Sequence, residues 1–349
     1  MKLNIYRSHW RMLPAVLSVL AALGCASHEK PPKPYPVYEG PRPADAVDFP
    51  RVTLTQDFSP LDDTVRWVGE RIGGGLVTMN GIGDRPLPPL KMKRKPYEYL
   101  VAQLAMYTGC QFYAGPYYFF LYAPGYESLM NISLHDRLHE RYAGLRGAMA
   151  FGANTELFNV FAMLSKSLDI TVIADNPIAD SRCGEMALPE IPLRVALEAI
   201  LQSARIAPGA FSVDSTEEYV FFHSLQNRNA RSLLLNESEL NSDQLTLLNR
   251  QVSLMLPEPP MVTAGMVFRH NASALGQVLG PMSSQMGVRV GVEDARLLPL
   301  PVNPSVMNNV RIRTAMDLLI RQWPVPDFGY VLRGDQIVIV RRSGVPAAE

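Results

Sequence analysis

Three kinds of feature are scarce or missing in this sequence, and each absence excludes a class of protein. Only 3 of the 349 residues are cysteines, so the fold does not depend on a disulfide framework. Downstream of the N-terminal region no apolar run reaches 18 residues, which leaves no candidate for a transmembrane helix. The 33 basic residues balance 33 acidic residues, so no general attraction to nucleic acid or to an acidic membrane is expected.

The N-terminal region has the order of features that is typical of a signal peptide. The basic residues Lys2, Arg7 and Arg11 precede an apolar stretch, Leu13–Leu23, whose 11 residues are too few to span a bilayer as a helix. The run Ala22-Leu23-Gly24-Cys25 that follows resembles the lipobox of bacterial lipoproteins, in which the cysteine thiol is acylated and becomes the new N-terminus.

This resemblance implies that residues 1–24 are a lipoprotein signal peptide and that Cys25 is the lipid attachment site, carrying acyl chains such as palmitate. Ala26, rather than an aspartate, follows the cysteine. By family analogy this implies a lipid anchor in the outer membrane, on its periplasmic face. An ordinary signal peptide with a chance cysteine is the alternative.

The next stretch has the composition of a tether. Residues 26–50 contain 7 prolines, and such a sequence favours extended polyproline conformations over a packed core. Residues 25–50 are therefore predicted to connect the lipid to the folded part of the chain.

Cys110 and Cys183 are the two cysteines beyond Cys25. An oxidising periplasm permits a disulfide between them, and two buried thiols are the other interpretation. The choice depends on the distance between them, so the sequence leaves both alternatives open.

The rest of the chain contains three copies of one pattern: helix, strand, second strand, second helix, then a two-stranded hairpin. In the middle copy, residues 156–168 predict an amphipathic helix, because apolar side chains recur at helical spacing at Leu157, Val160, Phe161, Leu164 and Leu168. From the first-helix leucine to the residue before the second helix, the copies span Leu61 to Lys95, Leu157 to Ile191 and Leu275 to Val310. These gaps are 34, 34 and 35 residues, and chance periodicity does not hold such a spacing.

The pattern predicts an α+β protein with three tandem small βαββαββ-type domains, each one sheet with two helices, after the signal peptide and the tether. A short strand is expected before each copy, at residues 51–55, 148–151 and 266–269. In the spacer, leucines predict a short helix that ends at Pro257. The predicted boundaries are 51–126 for the first repeat, 127–146 for a linker helix, 147–226 for the second repeat, 227–262 for the spacer, 263–343 for the third repeat and 344–349 for a tail.

Two stretches, Glu190–Leu201 and Asn309–Leu319, resemble the "polar-Val-x-Leu-x-x-Ala-Leu-x-x-Leu-Leu" pattern of the short N-terminal (STN) domain of secretins and TonB-dependent receptors. In secretins such domains stack into periplasmic rings below an outer-membrane barrel, and here no stretch for a barrel is expected after the third repeat. The resemblance implies a lipid-anchored structural or docking component of a secretin-type secretion, pilus or related envelope assembly.

On this reading the partners are envelope proteins, a secretin among them, and a ring of identical copies is a further expectation. Neither nucleic acid nor a cofactor is expected, and the protein is not expected to be an enzyme. Two alternatives remain: a signalling module like the receptor domain, which an exposed groove would favour, and a cell-wall-binding protein, which a polar cleft with perturbed carboxylates would favour.

An aromatic strand in the first repeat is the candidate partner-binding edge. Sheet edges have unpaired backbone groups that accept a partner strand. The candidate residues are Tyr117, Tyr118, Phe120 and Tyr122, and burial under the helices of the repeat is the alternative interpretation.

Three other motifs contain residue types that can bind a ligand. His135 and His139 lie four residues apart, a spacing that suits zinc on a helix, but the zincin glutamate is missing, so no metal site is expected. Gly73-Gly74-Gly75 lacks the lysine of a phosphate-binding loop and predicts a helix end. Residues 91–95 form a basic patch for which nucleic acid, peptidoglycan or solvent are the alternatives.

Overall fold

The computed structural model describes residues 42–227, 229, 235, 238, 240–256, 272–324 and 328–341. This part of the chain is α+β, with eight α-helices and several small sheets. Residues 37–349 cluster as one compact unit. None of the helices in the described ranges is long and apolar enough to cross a membrane.

The first segment, residues 52–122, contains helices α1 and α2, two two-stranded sheets and three strands of a larger sheet. Strand β1 pairs antiparallel with β5, while β7 pairs in parallel with β3 and antiparallel with β6. Its elements are β1 (Val52–Gln56), β2 (Ser59–Pro60), α1 (Leu61–Ile72), β3 (Leu76–Thr78), β4 (Pro86–Leu87), β5 (Leu90–Lys95), α2 (Tyr97–Thr108), β6 (Gln111–Ala114) and β7 (Phe119–Tyr122).

The second segment, residues 146–224, has the corresponding strand pairs. Strand β8 pairs antiparallel with β10, and β12 pairs in parallel with β9 and antiparallel with β11. Its elements are β8 (Arg146–Phe151), α3 (Leu157–Leu168), β9 (Val172–Ala174), α4 (Asn176–Ala179), β10 (Met186–Pro192), α5 (Leu193–Ser203), β11 (Phe211–Ser215) and β12 (Val220–Ser224).

The third segment, residues 251–341, repeats these pairs after a capped helix. Strand β13 pairs antiparallel with β17, and β19 pairs in parallel with β15 and antiparallel with β18. The elements are α6 (Ser242–Asn249), β13 (Gln251–Leu256), β14 (Ser273–Ala274), α7 (Leu275–Met286), β15 (Arg289–Val292), β16 (Pro301–Val302), β17 (Ser305–Arg311), α8 (Ile312–Arg321), β18 (Phe328–Arg333) and β19 (Gln336–Arg341).

Helix α3 shows why the sequence pattern locates these elements well. Leu157, Val160, Phe161 and Leu164 are buried, and the Phe161 ring stacks on Phe222 at 5.5 Å between ring centroids. The apolar stripe thus packs on the hairpin of its own segment, as the helical spacing predicts.

Two boundaries differ from the sequence prediction. The spacer helix α6 ends at Asn249 rather than at the prolines, and β13 follows it directly, in what the sequence assigns to the spacer. Strand β13 occupies the place that β1 and β8 hold in the other segments, because Val252 pairs with Val310 as Gly147 pairs with Ile191. The strand predicted at residues 266–269 lies outside the described residues.

The linker predicted as a helix at 127–146 is instead two short 3-10 helices, Glu127–Asn131 and Glu140–Tyr142. Tertiary hydrogen bonds replace helical ones between them: the Leu134 backbone N–H donates to Glu198 at 2.7 Å, and the His139 N–H donates to Ser215 at 2.8 Å. Both acceptors lie more than 60 residues away in the chain, where a local pattern does not reveal them, so the prediction of a helix was wrong.

Candidate functional site

The aromatic strand proposed as a partner-binding edge is buried. Tyr117, Tyr118, Phe120 and Tyr122 are at most 6% exposed, and the strand β7 lies between β6 and β3 in a five-stranded sheet. The Tyr118 hydroxyl donates to Gln202 of the second segment at 2.6 Å. These residues are therefore core residues, as the alternative interpretation held.

The first junction joins the first and second segments through a hydrogen-bonded strand pair. In β10, Met186 and Ala187 pair antiparallel with Val77 and Leu76 of β3, which completes the five-stranded sheet. The helix α1 approaches this strand so closely at Gly69 that a Cβ atom there would lie 2.2 Å from the Ala187 Cβ. Glycine at position 69 is thus what permits the two segments to share one sheet.

A buried carboxylate lies beside that contact. Glu185 is 3% exposed and accepts two hydrogen bonds of 3.0 Å from the Arg66 guanidinium, and a third of 2.9 Å from the Ala153 N–H. Burial, together with the Glu185 and Asp84 charges, raises the pKa of Asp62 to about 6. The first junction therefore concentrates charge in a partly desolvated place.

The second junction joins the second and third segments without a strand pair. Asn308 of β17 donates its side-chain N–H groups to the carbonyls of Ser165 at 2.9 Å and Ile170 at 2.8 Å. Its own backbone N–H donates to the Thr171 hydroxyl at 2.8 Å. Side-chain hydrogen bonds thus replace the backbone pairing of the first junction, and β17 packs on α3 and β9 where β10 packs on α1 and β3.

Gly69 of α1, Ser165 of α3 and Ser283 of α7 occupy the same position of the repeat, eight residues after the first residue of the helix. The side chain at this position differs between the first segment and the other two. The Ser165 hydroxyl accepts a hydrogen bond from the Val172 N–H at 2.9 Å, and the Ser283 hydroxyl accepts one from the Val290 N–H at 2.9 Å. Each serine lies on a helix, α3 or α7, and its hydroxyl binds a backbone N–H at the edge of the strand that follows, β9 or β15. Gly69 has no side chain that could bind the corresponding edge of β3. Leu76 at this edge pairs with Ala187 of β10 instead.

The third helix of this series, α7, carries the same face uncovered within the described residues. Positions 62, 66 and 69 of α1 correspond to Gly276, Gly280 and Ser283 of α7 by the spacing of the repeats. Gly276 and Gly280 are exposed, and no described atom lies within 4 Å of a Cβ built at Gly280. The face that the next segment covers on α1 and α3 is therefore open on α7.

A cavity of about 230 Å³ lies at the second junction. Leucines from α6 and the preceding stretch form one wall, and charged and hydroxyl side chains form the other. Burial raises the pKa of Asp317 to about 6 in this wall. The residues that line the cavity are Thr216, Glu218, Tyr219, Leu235, Leu240, Leu245, Leu248, Asn249, Arg311, Arg313, Thr314, Asp317 and Tyr330.

The polar wall of the cavity is held by one ion pair across the junction. Glu218 is 7% exposed and accepts hydrogen bonds of 2.9 Å from both the Nε and the Nη2 of Arg311, and one of 2.6 Å from the Thr314 hydroxyl. Although burial opposes it, these donors lower the pKa of Glu218. Glu218 is therefore ionised and paired with Arg311, whereas burial destabilises the charged form of Asp317. Carboxyl groups with shifted pKa values in one cavity make that cavity a candidate binding site.

The two histidines and the glycine run lie in a turn and at helix ends. His135 lies in a turn with 73% of its side chain exposed, and His139 caps a 3-10 helix by accepting the Arg141 N–H. No group of three or more metal-ligating side chains occurs among the described residues. Gly73 ends α1 in the left-handed conformation at φ 74°, as the helix-end prediction requires.

Cys110 and Cys183 are free thiols, so the disulfide alternative is wrong. The Cys110 sulfur accepts a hydrogen bond from Arg85 at 3.3 Å. Cys183 is fully buried, and burial raises the pKa of its thiol to about 12, which leaves it unreactive at neutral pH.

Comparison of the chain with protein-family models, with curated proteins and with solved structures finds no match. The resemblance to the STN domain therefore depends on the two stretches quoted from the sequence alone.

Proposed function

We propose that the three segments are tandem βαββαββ-type domains of the STN kind, held to the outer membrane by lipid on Cys25, and that the protein is a docking component of an envelope assembly such as a secretion or pilus machine. The observation that carries this proposal is the repeated junction. The same helix and strand face is covered twice within the chain, and its third instance, on α7 and β15, is open in the described part.

The open face suits a domain of the same kind on another protein. In both internal junctions the covering element is the strand that precedes the second helix of the next segment, β10 or β17. Gly280 lets such a strand approach α7 closely, while the Ser283 hydroxyl already binds the Val290 N–H. The second junction shows that side-chain donors such as Asn308 suffice for docking beside a serine.

The anchor is tested by replacing Cys25 with serine. Serine has no thiol to acylate, so we expect the variant to lose its acyl chains and to leave the outer-membrane fraction. Mass spectrometry of the N-terminal peptide is the measurement. A wild-type mature chain that begins elsewhere than at Cys25, or that lacks acyl mass, contradicts the anchor.

The docking face is tested by photo-crosslinking in intact cells, with benzoylphenylalanine placed at Gly280. We expect an adduct with a secretin or another secretion or pilus component, identified by mass spectrometry. The matched control is Leu225, which is 61% exposed on the second segment and outside the repeated face. Equal adducts from both positions, or none from Gly280, contradict docking by this face.

A second candidate function, cell-wall binding, rests on the cavity at the second junction. Its leucine wall and its two arginines and two carboxylates suit a small amphipathic ligand that bears charge, as a peptide fragment of the wall does. Recovery of peptidoglycan alone in the crosslinking experiment would favour this candidate over docking.

A further inference from the structure

No segment precedes the ribbon of β1 and β5 within the part of the chain that the structure describes, residues 42 onward. In the second and third segments, the equivalent ribbon packs on the first helix of the preceding segment. Ala187 of β10 and Val306 of β17 face this contact, and both are buried. By the same spacing, the corresponding residue of the first segment is Lys91, which is exposed. The position that is apolar in both buried ribbons is thus a lysine in the one that faces solvent.

The exposed face of this ribbon is uniformly basic. Arg51, Lys91, Lys93, Arg94 and Lys95 are all exposed, and the exposed residues of β1 are Thr53 and Thr55. None of these five side chains forms a salt bridge with a carboxylate among the described residues; the neighbouring Glu98 has an interaction of its own. In a chain whose charges cancel overall, such a face concentrates positive charge at one end.

Apolar side chains continue this face along α2. The Lys95 ammonium lies 5.3 Å from the centre of the Tyr99 ring, which joins the basic ribbon to the helix. Seven and eight residues further on, at helical spacing, Met106 is 60% exposed and Tyr107 is 45% exposed. Lysines beside exposed tyrosines and methionine form the combination that suits the interface of a membrane.

The polypeptide reaches this surface at Arg51, two residues after Phe49. The Phe49 ring packs against Tyr97 of α2 at 5.3 Å and against Phe119 at 4.8 Å between ring centroids. Between Cys25 and Arg42 there are 16 residues, which span at most about 50 Å when extended. The tether therefore joins the folded part at the first segment, beside the ion pair of Asp45 with Arg146 at the start of the second segment.

We infer that the basic ribbon face, defined as Arg51, Lys91, Lys93, Arg94 and Lys95, binds an anionic membrane surface, with Tyr99, Met106 and Tyr107 in the interfacial layer. The positive charge of this face favours an anionic surface, and the short tether to the lipid keeps the membrane within its reach. The inference rests on the proposed anchor for its direction, since the lipid holds this end of the chain. The surface then orients the three segments away from the membrane.

The test is vesicle co-sedimentation of the chain from Ala26 onward, which has neither signal peptide nor acyl-carrying cysteine. We expect binding to mixed phosphatidylcholine–phosphatidylglycerol vesicles, weaker binding as salt rises, and none to pure phosphatidylcholine. Because each lysine near an anionic surface contributes on the order of 1 kcal/mol, the K91E/K93E/K95E variant should bind about a hundredfold more weakly or worse. The neutral variant K91Q/K93Q/K95Q should fall between the two.

The control variant R289E/R296E/R333E changes the net charge by the same amount in the third segment. Its arginines are exposed and in surface salt bridges of small energetic value, so vesicle binding should stay within about twofold of wild type. Equal loss in both variants, equal binding to neutral vesicles, or no binding to anionic vesicles each overturns the inference. Failure here with Cys25 still acylated would leave the proposed anchor intact.

Discussion

Replacing Gly69 with alanine should destabilise the protein, although alanine favours the helix. The added Cβ atom would lie 2.2 Å from the Ala187 Cβ, so α1 and β10 must move apart. Overpacking of this kind costs about 1–3 kcal/mol, against a gain of up to about 1 kcal/mol in helix propensity. We expect a net loss of about 1–2 kcal/mol in urea unfolding, and faster hydrogen exchange of the Thr78 amide, which donates to Glu185 across the junction.

The matched control is the same substitution at Gly280, a helix-interior glycine whose Cβ would contact nothing described within 4 Å. G280A gains helix propensity, but Pro281 disfavours the helical conformation for a residue with a Cβ atom directly before it, so its stability should stay within about 1 kcal/mol of wild type. The double variant G69A/A187G removes the clash and should recover most of the lost stability. A G69A variant as stable as wild type would show that the first junction tolerates separation.

Replacing Asp317 with asparagine should stabilise the protein at neutral pH. Burial raises the pKa of Asp317 from 3.8 to about 6, so the folded state holds a proton that the unfolded state releases between about pH 4 and 6. Its contribution to stability therefore falls as pH rises through this window, and above it the folded protein contains a buried charge. Asparagine keeps the shape without the charge, and the gain at pH 7 should reach up to about 3 kcal/mol.

The measurement is the free energy of unfolding of both proteins between pH 4 and pH 8, which brackets this window. The advantage of D317N should disappear toward pH 4, where the wild-type side chain is protonated in the folded state. The exposed Asp335 in the last hairpin supplies the control, because D335N should change stability by less than about 0.5 kcal/mol at any pH. A constant difference between D317N and wild type across the range would mean that burial does not suppress ionisation of Asp317.

A carboxylate that lowers stability at neutral pH also bears on function. Asp317 lies in the cavity at the second junction, where Glu218 is ionised and held by Arg311 and Thr314. Strained ionisable groups concentrate at binding sites more often than in passive cores. If D317N is more stable and the chain still docks in cells, the cavity serves some role other than the assembly proposed for α7.

The amino-acid pattern alone located most helices and strands. The helical stripe from Leu157 to Leu168, the proline before α5 and the spacing of 34 or 35 residues in each copy depend on local periodicity, which the sequence carries directly. The same periodicity failed for residues 127–146, because their hydrogen-bond partners Glu198 and Ser215 lie far away in the chain.

The site depended on tertiary structure. The aromatic strand at Tyr117 to Tyr122 could be an edge or a core strand by its pattern, and only the pairing with β3 and β6 decided that it is core. The repeat spacing places Gly69, Ser165 and Ser283 at equivalent positions. Their role in the junctions depends on the tertiary structure, which brings Ala187 against Gly69 and Asn308 beside Ser165.

The sequence by itself determined where most of the helices and strands in the three copies lie, because the burial of one face leaves a period in the chain. The tertiary structure decided which faces are covered. Contacts between segments more than 100 residues apart, such as Arg66 with Glu185, leave no period for the sequence to show. Whether a surface such as α7 or the basic ribbon is open depends on which segment comes next in space.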